Sequence, residues 1–157
     1  SNWLTFNVTV NSGYTLNLTS LTFNFGGQLR SGSVSNYTPS YTVTYSLNGF
    51  DTTGTQVGSG STTIASLSAT GTARDVSAAA NVNLTSIGGG AISGGQTITF
   101  RINMTDNDTN NGNLSYRVAN IALNGAVVTS PIPEPSTYAL LLGGLTLGFV
   151  YFRRRCG

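Results

Sequence analysis

Apolar and polar residues alternate strictly along several short runs of this chain. In the run LTFNVTV (residues 4–10), one face carries only leucine, phenylalanine and valine, and the other carries threonine and asparagine. A period of two with one apolar face is typical of a β-strand that lies half-buried against a core. The same alternation predicts three further strands, over residues 21–25, 41–47 and 97–104.

Two weaker runs add candidate strands. Residues 80–84 alternate over a short length, and residues 114–123 begin to alternate but change their apolar phase between Val118 and Ile121. A β-bulge or the end of a strand produces such a change, because one extra residue moves every later side chain to the other face. We therefore expect an irregularity between Val118 and Ile121.

Glycine-rich and Asn-Gly stretches separate these runs, and Asn-Gly readily adopts the positive φ that tight hairpins require. We predict turns at residues 11–13, 26–27, 48–49, 58–60, 88–90, 94–95, 111–112 and 124–125. Residues 1–129 show no helical period. About eight strands at this spacing favour an all-β fold, an antiparallel β-sandwich of jelly-roll-like form. A β-solenoid is the main alternative, but no fixed-period repeat supports it.

Charge and composition exclude several functional classes. Charged residues make up 8% of the 157-residue chain, which contains no lysine and no histidine. Four arginines balance four aspartates within residues 1–129, so no basic patch is available to bind nucleic acid. Without histidine, and with Cys156 as the only cysteine, these residues contain neither a Ser-His-Asp triad nor a thiol nucleophile. We predict a protein that is not an enzyme and has no disulfide within the domain.

The C-terminal tail has a different pattern. An uncharged apolar run follows a proline-rich linker and is itself followed by Arg153, Arg154 and Arg155. The run is short for a membrane span, which usually needs about 17–25 residues. Aromatic residues at both ends of the run are typical of the two membrane–water interfaces. The arginines predict that the C-terminal end of the run lies on the cytoplasmic side. We predict a β-sandwich ectodomain (1–129), a linker (130–137), a transmembrane helix (138–152) and a basic cytoplasmic tail (153–157).

Pro133, Glu134 and Pro135, followed by the apolar run and the arginines, resemble the PEP-CTERM protein-sorting signal of Gram-negative bacteria. The resemblance covers only the stretch PEPSTYALLLGGLTLGFVYFRRR. It implies export, retention in the inner membrane with the domain facing outward, and processing by an exosortase, a membrane-embedded transpeptidase. The body would then reach the cell surface or the medium. Genomes with this system tend to make exopolysaccharide, which is therefore a candidate partner in a biofilm matrix.

Proline chemistry agrees with a recognition role for this motif. Proline cannot continue a helix, and it biases the residue before it towards extended backbone. The triplet Pro133, Glu134 and Pro135 would therefore be extended and accessible just outside the bilayer. Glu134 is the only acid in the tail and would suit a complementary cationic pocket.

The stretch DNDTNNGN is the most site-like part of residues 1–129. The oxygens of Asp106, Asp108 and Asn110 have the spacing with which calcium loops begin, and Ca²⁺ prefers oxygen ligands. The pattern then breaks, since Asn111 stands where the loop glycine belongs and Arg117 where a bidentate glutamate would close the site. We favour a polar hairpin tip. A structural calcium ion, in a calcium-dependent adhesin, is the alternative, and the sequence points to no other cofactor.

Trp3 lies on the polar face of the first predicted strand, where its ring could stack on a sugar. An exposed Trp3 beside asparagine and arginine would favour glycan binding. A buried Trp3 beneath a uniform threonine and asparagine surface would favour a structural role. Our leading hypothesis is an exported, non-enzymatic protein of the cell surface or extracellular matrix, and a carbohydrate-binding module is the alternative.

Overall fold

The computed structural model describes residues 3–50, 54–68, 75–107, 114–129, 139–140 and 142. Within residues 3–129 these form ten β-strands and one short 3-10 helix, Ile87–Gly90. The strands are β1 (Trp3–Thr9), β2 (Tyr14–Leu29), β3 (Ser33–Tyr37), β4 (Ser40–Ser46), β5 (Thr55–Ser61), β6 (Ile64–Ser68), β7 (Asp75–Asn83), β8 (Ile92–Ser93), β9 (Thr97–Thr105) and β10 (Leu114–Thr129).

The strands form three sheets. Sheet A has the order β1-β9-β4-β5, and sheet B has the order β10-β2-β7 with the short β8 also paired to β2. A two-stranded sheet joins β3 to β6. Every pairing is antiparallel. The predicted all-β antiparallel class is confirmed.

Sheets A and B face each other across one apolar core. Phe23 and Phe25 of β2 meet the ring of Tyr41 on β4 edge-on, with ring centroids 5.0 and 4.7 Å apart. At the next pair of strands, a methyl group at Gly58 of β5 would lie 2.6 Å from Cγ1 of Val82 on β7. These contacts place β4 opposite β2 and β5 opposite β7. The four apolar residues that alternate along β9 are all buried here, whereas in β1 Leu4 is 40% exposed and Phe6 and Val8 are half-buried.

Three of the glycine stretches predicted as turns lie inside strands instead. Gly27 belongs to β2, where an added methyl group would lie 2.5 Å from the hydroxyl oxygen of Tyr37. Gly58 belongs to β5 and lies against the neighbouring sheet. Gly125 belongs to β10, where a side chain would collide with the carbonyl oxygen of Asn17. These predictions are wrong because each glycine serves close approach within a strand, which sequence alone does not separate from a turn.

Other turn predictions are confirmed. Residues 11–13, 48–49, 88–90 and 94–95 lie between strands, and each group contains at least one glycine with positive φ. The pair 111–112 lies outside the described residues. The expected irregularity near Val118 is also confirmed, because the pairing of β10 with β2 shifts between Ala119 and Ala122, and Asn120 has a φ of 53°.

The predicted membrane-spanning helix at residues 138–152 lies outside the described residues, apart from Ala139, Leu140 and Leu142. In the part of the chain that the structure describes, no helix has the length and hydropathy that crossing a bilayer requires. The basic segment 153–157 also lies outside it. The spanning helix and its orientation therefore stay predictions.

Candidate functional site

Strand alternation gives sheet A an outward surface that is almost entirely polar. In β1, β9 and β4 the apolar positions point to the core, so the intervening threonines, serines and asparagines point outward. We call this surface the outer face, and it consists of Trp3, Thr5, Asn7, Thr9, Ser40, Thr42, Thr44, Ser46, Thr97, Thr99, Arg101, Asn103 and Thr105. Neighbouring hydroxyls on it also pair, as between Thr9 and Thr97 at 2.9 Å.

One cluster interrupts this polar surface. The guanidinium carbon of Arg101 lies 4.8 Å from the centre of the Trp3 ring and 3.9 Å from the centre of the Phe50 ring. Trp3 arrives from the start of β1 and Phe50 from the β4–β5 connection, so three separate segments build the cluster. Cation–π contacts of this kind stabilise by about 0.5–2 kcal/mol each, more as the site is desolvated. We call these three residues the arginine–aromatic cluster.

The cluster combines the features that the sequence analysis associated with glycan binding. Trp3 is 53% exposed, and its register partner on β9 is Asn103. Threonine hydroxyls of β1 and β4 flank Arg101, since Thr5 and Thr44 are its register partners. A sugar ring needs an exposed apolar surface together with directed hydrogen-bonding groups, and both occur here.

The side-chain Nε of Arg101 is a further feature of the cluster. Its Nε is buried, and among the described residues it has no hydrogen-bond partner. Buried N–H groups normally have a partner, and leaving one without costs about 1–3 kcal/mol.

The candidate calcium ligands are only partly described. Asp106 lies in the described residues, and Asp108 and Asn110 lie outside them. The described residues contain no group of three or more acidic, cysteine or histidine side chains placed to hold a metal. The neighbouring Asn107 instead bonds to the end of β3, because its Oδ1 accepts from the Thr38 N–H at 2.7 Å and its Nδ2 donates to the Asn36 carbonyl at 3.0 Å.

The sorting residues Pro133, Glu134 and Pro135, with Arg153, Arg154 and Arg155, lie outside the described residues. Comparison with known proteins settles what this segment is. Residues 131–155 match the family model of the PEP-CTERM protein-sorting motif. The resemblance read from the sequence is confirmed for this C-terminal segment.

The PEP-CTERM motif implies export and sorting by an exosortase, a membrane enzyme. It also implies association with the membrane during sorting, followed by secretion or display at the surface. No curated protein and no solved structure matches the chain. The comparisons therefore assign the tail and leave the β-sheet body to be interpreted from its own residues.

Sequence reasoning missed two of the functional candidates. Phe50 follows an Asn-Gly turn, and nothing in its local pattern placed it over Arg101. Arg101 was indistinguishable from the other polar positions of an alternating strand. The sequence offered two signals, a single aromatic residue in a polar loop (Phe50) and a lone charge on a neutral sheet face (Arg101). Only the pairing of β1, β9 and β4 brings these residues together with Trp3.

Proposed function

We propose that this is an exported, non-enzymatic protein of the bacterial surface or extracellular matrix, delivered by its PEP-CTERM tail and associated with exopolysaccharide. The match of residues 131–155 to the sorting motif carries the proposal. The absence of histidine, and of cysteine before Cys156, supports a body without catalysis. The hydroxyl and amide groups of the outer face support contact with hydrated polysaccharide, because they can exchange hydrogen bonds with sugar hydroxyls.

We also infer a jelly-roll-like β-sandwich for the body. Its longer strands divide between two facing sheets, with β1, β4, β5 and β9 in sheet A and β2, β7 and β10 in sheet B. Chain order then passes repeatedly from one sheet to the other, which is typical of double-sheet Greek-key folds. Such a scaffold presents a broad outer face without needing a disulfide.

The delivery step is tested by the intact mass of the protein recovered from outside the cytoplasmic membrane of its host. We expect a mass that ends near Pro133 to Thr137, because the motif is a processing signal. The variant Glu134→Gln should accumulate uncut in the membrane, and Pro131→Ala, which leaves the Pro-Glu-Pro triplet intact, should be processed normally. A secreted protein whose mass still includes Arg153 to Gly157 would contradict the proposal.

Glycan binding by the body is a second candidate function, which the exposure of Trp3 beside Arg101 and Asn103 supports. The test is affinity electrophoresis of residues 1–157 through gels that contain the host's purified exopolysaccharide. We expect retardation that Trp3→Ala weakens about two- to tenfold, the loss of one stacked ring. The matched control is Tyr14→Ala, which removes another partly exposed ring (42%) away from the cluster. Equal retardation of both variants would exclude the cluster as the binding site.

A further inference from the structure

The end of the body from which the sorting tail leaves is built by four parts of the chain. Thr129, the last residue of β10, is the register partner of Tyr14, the first residue of β2. The backbone of Val10, just after β1, forms hydrogen bonds with Gly95 and Gln96, just before β9. An apolar groove of about 250 Å³ connects these two groups, because Val10 and Tyr14 both line it. We call this end of the body the tail end.

Large apolar side chains are exposed at the tail end. Tyr14 is 42% exposed, and Val127 and Val128, near the end of β10, are 65% and 48% exposed. Tyr14 and Val127 line the groove, whereas Val128 points to the other face of sheet B, because successive residues of a strand alternate. These three residues, which we call the apolar rim, therefore surround the end of the sheet rather than lying on one face. A continuous apolar surface of this kind marks an interaction site.

The tail end carries no charge. Residues 8–18, 84–98 and 123–130, which build it, contain no arginine, lysine, aspartate or glutamate. The described charged residues lie in the middle of β9 or towards the opposite end of the body: Arg30, Asp75, Arg101, Asp106 and Arg117. Tyrosine rings and apolar side chains are favourable at the interface between lipid and water, whereas charges are costly below it. The composition of the tail end therefore suits a lipid surface.

The sorting tail attaches to this end through a short connection. Thr129 is the last paired residue of β10, and the match to the PEP-CTERM motif begins at residue 131. Residues 130–138 lead to the predicted membrane helix and could span at most about 30 Å when fully extended. β10 is 16 residues long, which corresponds to about 50 Å. The body therefore cannot stand on its opposite end, because Thr129 would then lie too far from the bilayer.

We propose that the tail end rests on the outer surface of the cytoplasmic membrane, with the apolar rim in the lipid interface, while the tail holds the protein there. This docking rests on the proposed function, because it requires the form that the sorting tail retains in the membrane. The contact would hold the Pro-Glu-Pro triplet at the bilayer surface, where a membrane-embedded exosortase acts. It would also orient the strands of the body away from the membrane.

The small size of the apolar rim favours this partner. Stable protein complexes bury about 800 Å² on each partner, which three partly exposed side chains do not approach. A tethered surface needs much less, because a short linker gives an effective concentration in the millimolar range. The contact would therefore form in the anchored protein and be too weak to hold the free body. Cleavage in the tail would remove the anchor and the contact together, and the body would leave the membrane.

The test uses residues 1–157 reconstituted into vesicles of phosphatidylethanolamine and phosphatidylglycerol. Each chain carries Cys156→Ser and one cysteine labelled with the fluorophore NBD. Ser12→Cys places the label in the exposed β1–β2 turn at the tail end, and Ser31→Cys places it at an exposed position just past β2, at the opposite end. We expect lipids with a nitroxide on the headgroup to quench the Ser12 label and not the Ser31 label. Because the tail end is uncharged, quenching should persist in about 1 M salt, which screens charges beyond about 3 Å.

Two substitutions in β10 relate the quenching to the apolar rim. Val128→Asn should lower the ratio of docked to undocked molecules about fivefold, because it removes one apolar side chain from the contact. The matched control is Ile121→Asn, which changes another exposed apolar residue (39%) in the middle of the same strand and should leave quenching unchanged. Equal quenching of the Ser12 label in both variants and in the parent chain would overturn the proposal.

Flotation of the vesicles after a carbonate wash reports the tail separately. Protein that floats with the vesicles while both labels stay unquenched would overturn the docking and leave the membrane anchoring of the proposed function intact. Protein that does not float would overturn both. Quenching that requires an exosortase in the same vesicles, or that grows with the number of chains per vesicle, would also overturn the docking, because the partner would then be the enzyme or a second copy.

Discussion

The two sides of the body show that a facing layer, rather than the residue itself, decides burial. On the β5–β7 side the sheets approach so closely that only glycine fits at position 58, against Val82. On the opposite side, which ends at β1 in sheet A and at β10 in sheet B and which we call the open side, the equally apolar residues Leu4 and Val127 are 40% and 65% exposed. Both sides have the alternating pattern of a half-buried strand. The difference arises because sheet A has four strands in its path and sheet B has three.

The difference in burial between the two sides is tested most strongly by shortening two side chains that are register partners. Ile102→Ala, on the covered strand β9, should lower the free energy of unfolding by about 2–5 kcal/mol, because it creates a cavity in a close-packed core. Leu4→Ala, opposite it on β1, should cost only about 1.5 kcal/mol, because its side chain is 40% exposed. Urea unfolding followed by tryptophan fluorescence measures both. Equal costs would show that the open side is buried in solution.

A second substitution tests the closeness of the β5–β7 side. Gly58→Ala adds a methyl group 2.6 Å from Cγ1 of Val82 and should destabilise by about 1–3 kcal/mol through overpacking. In the Val82→Ala background the same change should cost much less, because the opposing methyls are gone. A double-mutant cycle of unfolding free energies isolates this coupling. Additive effects of the two substitutions would show that the sheets are farther apart than described.

The pH dependence of stability tests the burial of Tyr41 between the two sheets. Tyr41 lies between the sheets at the Phe23–Phe25 contact, and burial raises its pKa above the ordinary value of 10.0. The unfolded chain therefore loses the Tyr41 proton at lower pH than the folded chain does. This contribution to stability is full below pH 10 and is lost as pH rises through the folded pKa. Tyr41→Phe should flatten the alkaline decline in melting temperature, whereas an unchanged decline would place its cause elsewhere.

Local pattern predicted six of the ten described strands, in whole or in part, and little of the site, while β3, β5, β6 and β8 were not predicted. The runs that became β1, β4 and β9 were read correctly, because alternation is a property of consecutive residues. The glycines at 27, 58 and 125 were misread, because their role depends on a residue distant in the chain. The same limit applies to the arginine–aromatic cluster, whose parts meet only through sheet pairing. The sorting tail was recognisable because its signal is contiguous and does not depend on the fold of the body.

A second pair of register partners gives the smallest expected effect. Val127 of β10 is 65% exposed, whereas its partner Leu16 on β2 is buried. Val127→Ala should change the free energy of unfolding by less than about 0.5 kcal/mol, as is usual for exposed positions. Leu16→Ala should cost about 2–5 kcal/mol, because it opens a cavity in the core. Urea unfolding measures both costs, and a similar cost for the two substitutions would show that Val127 is covered in solution.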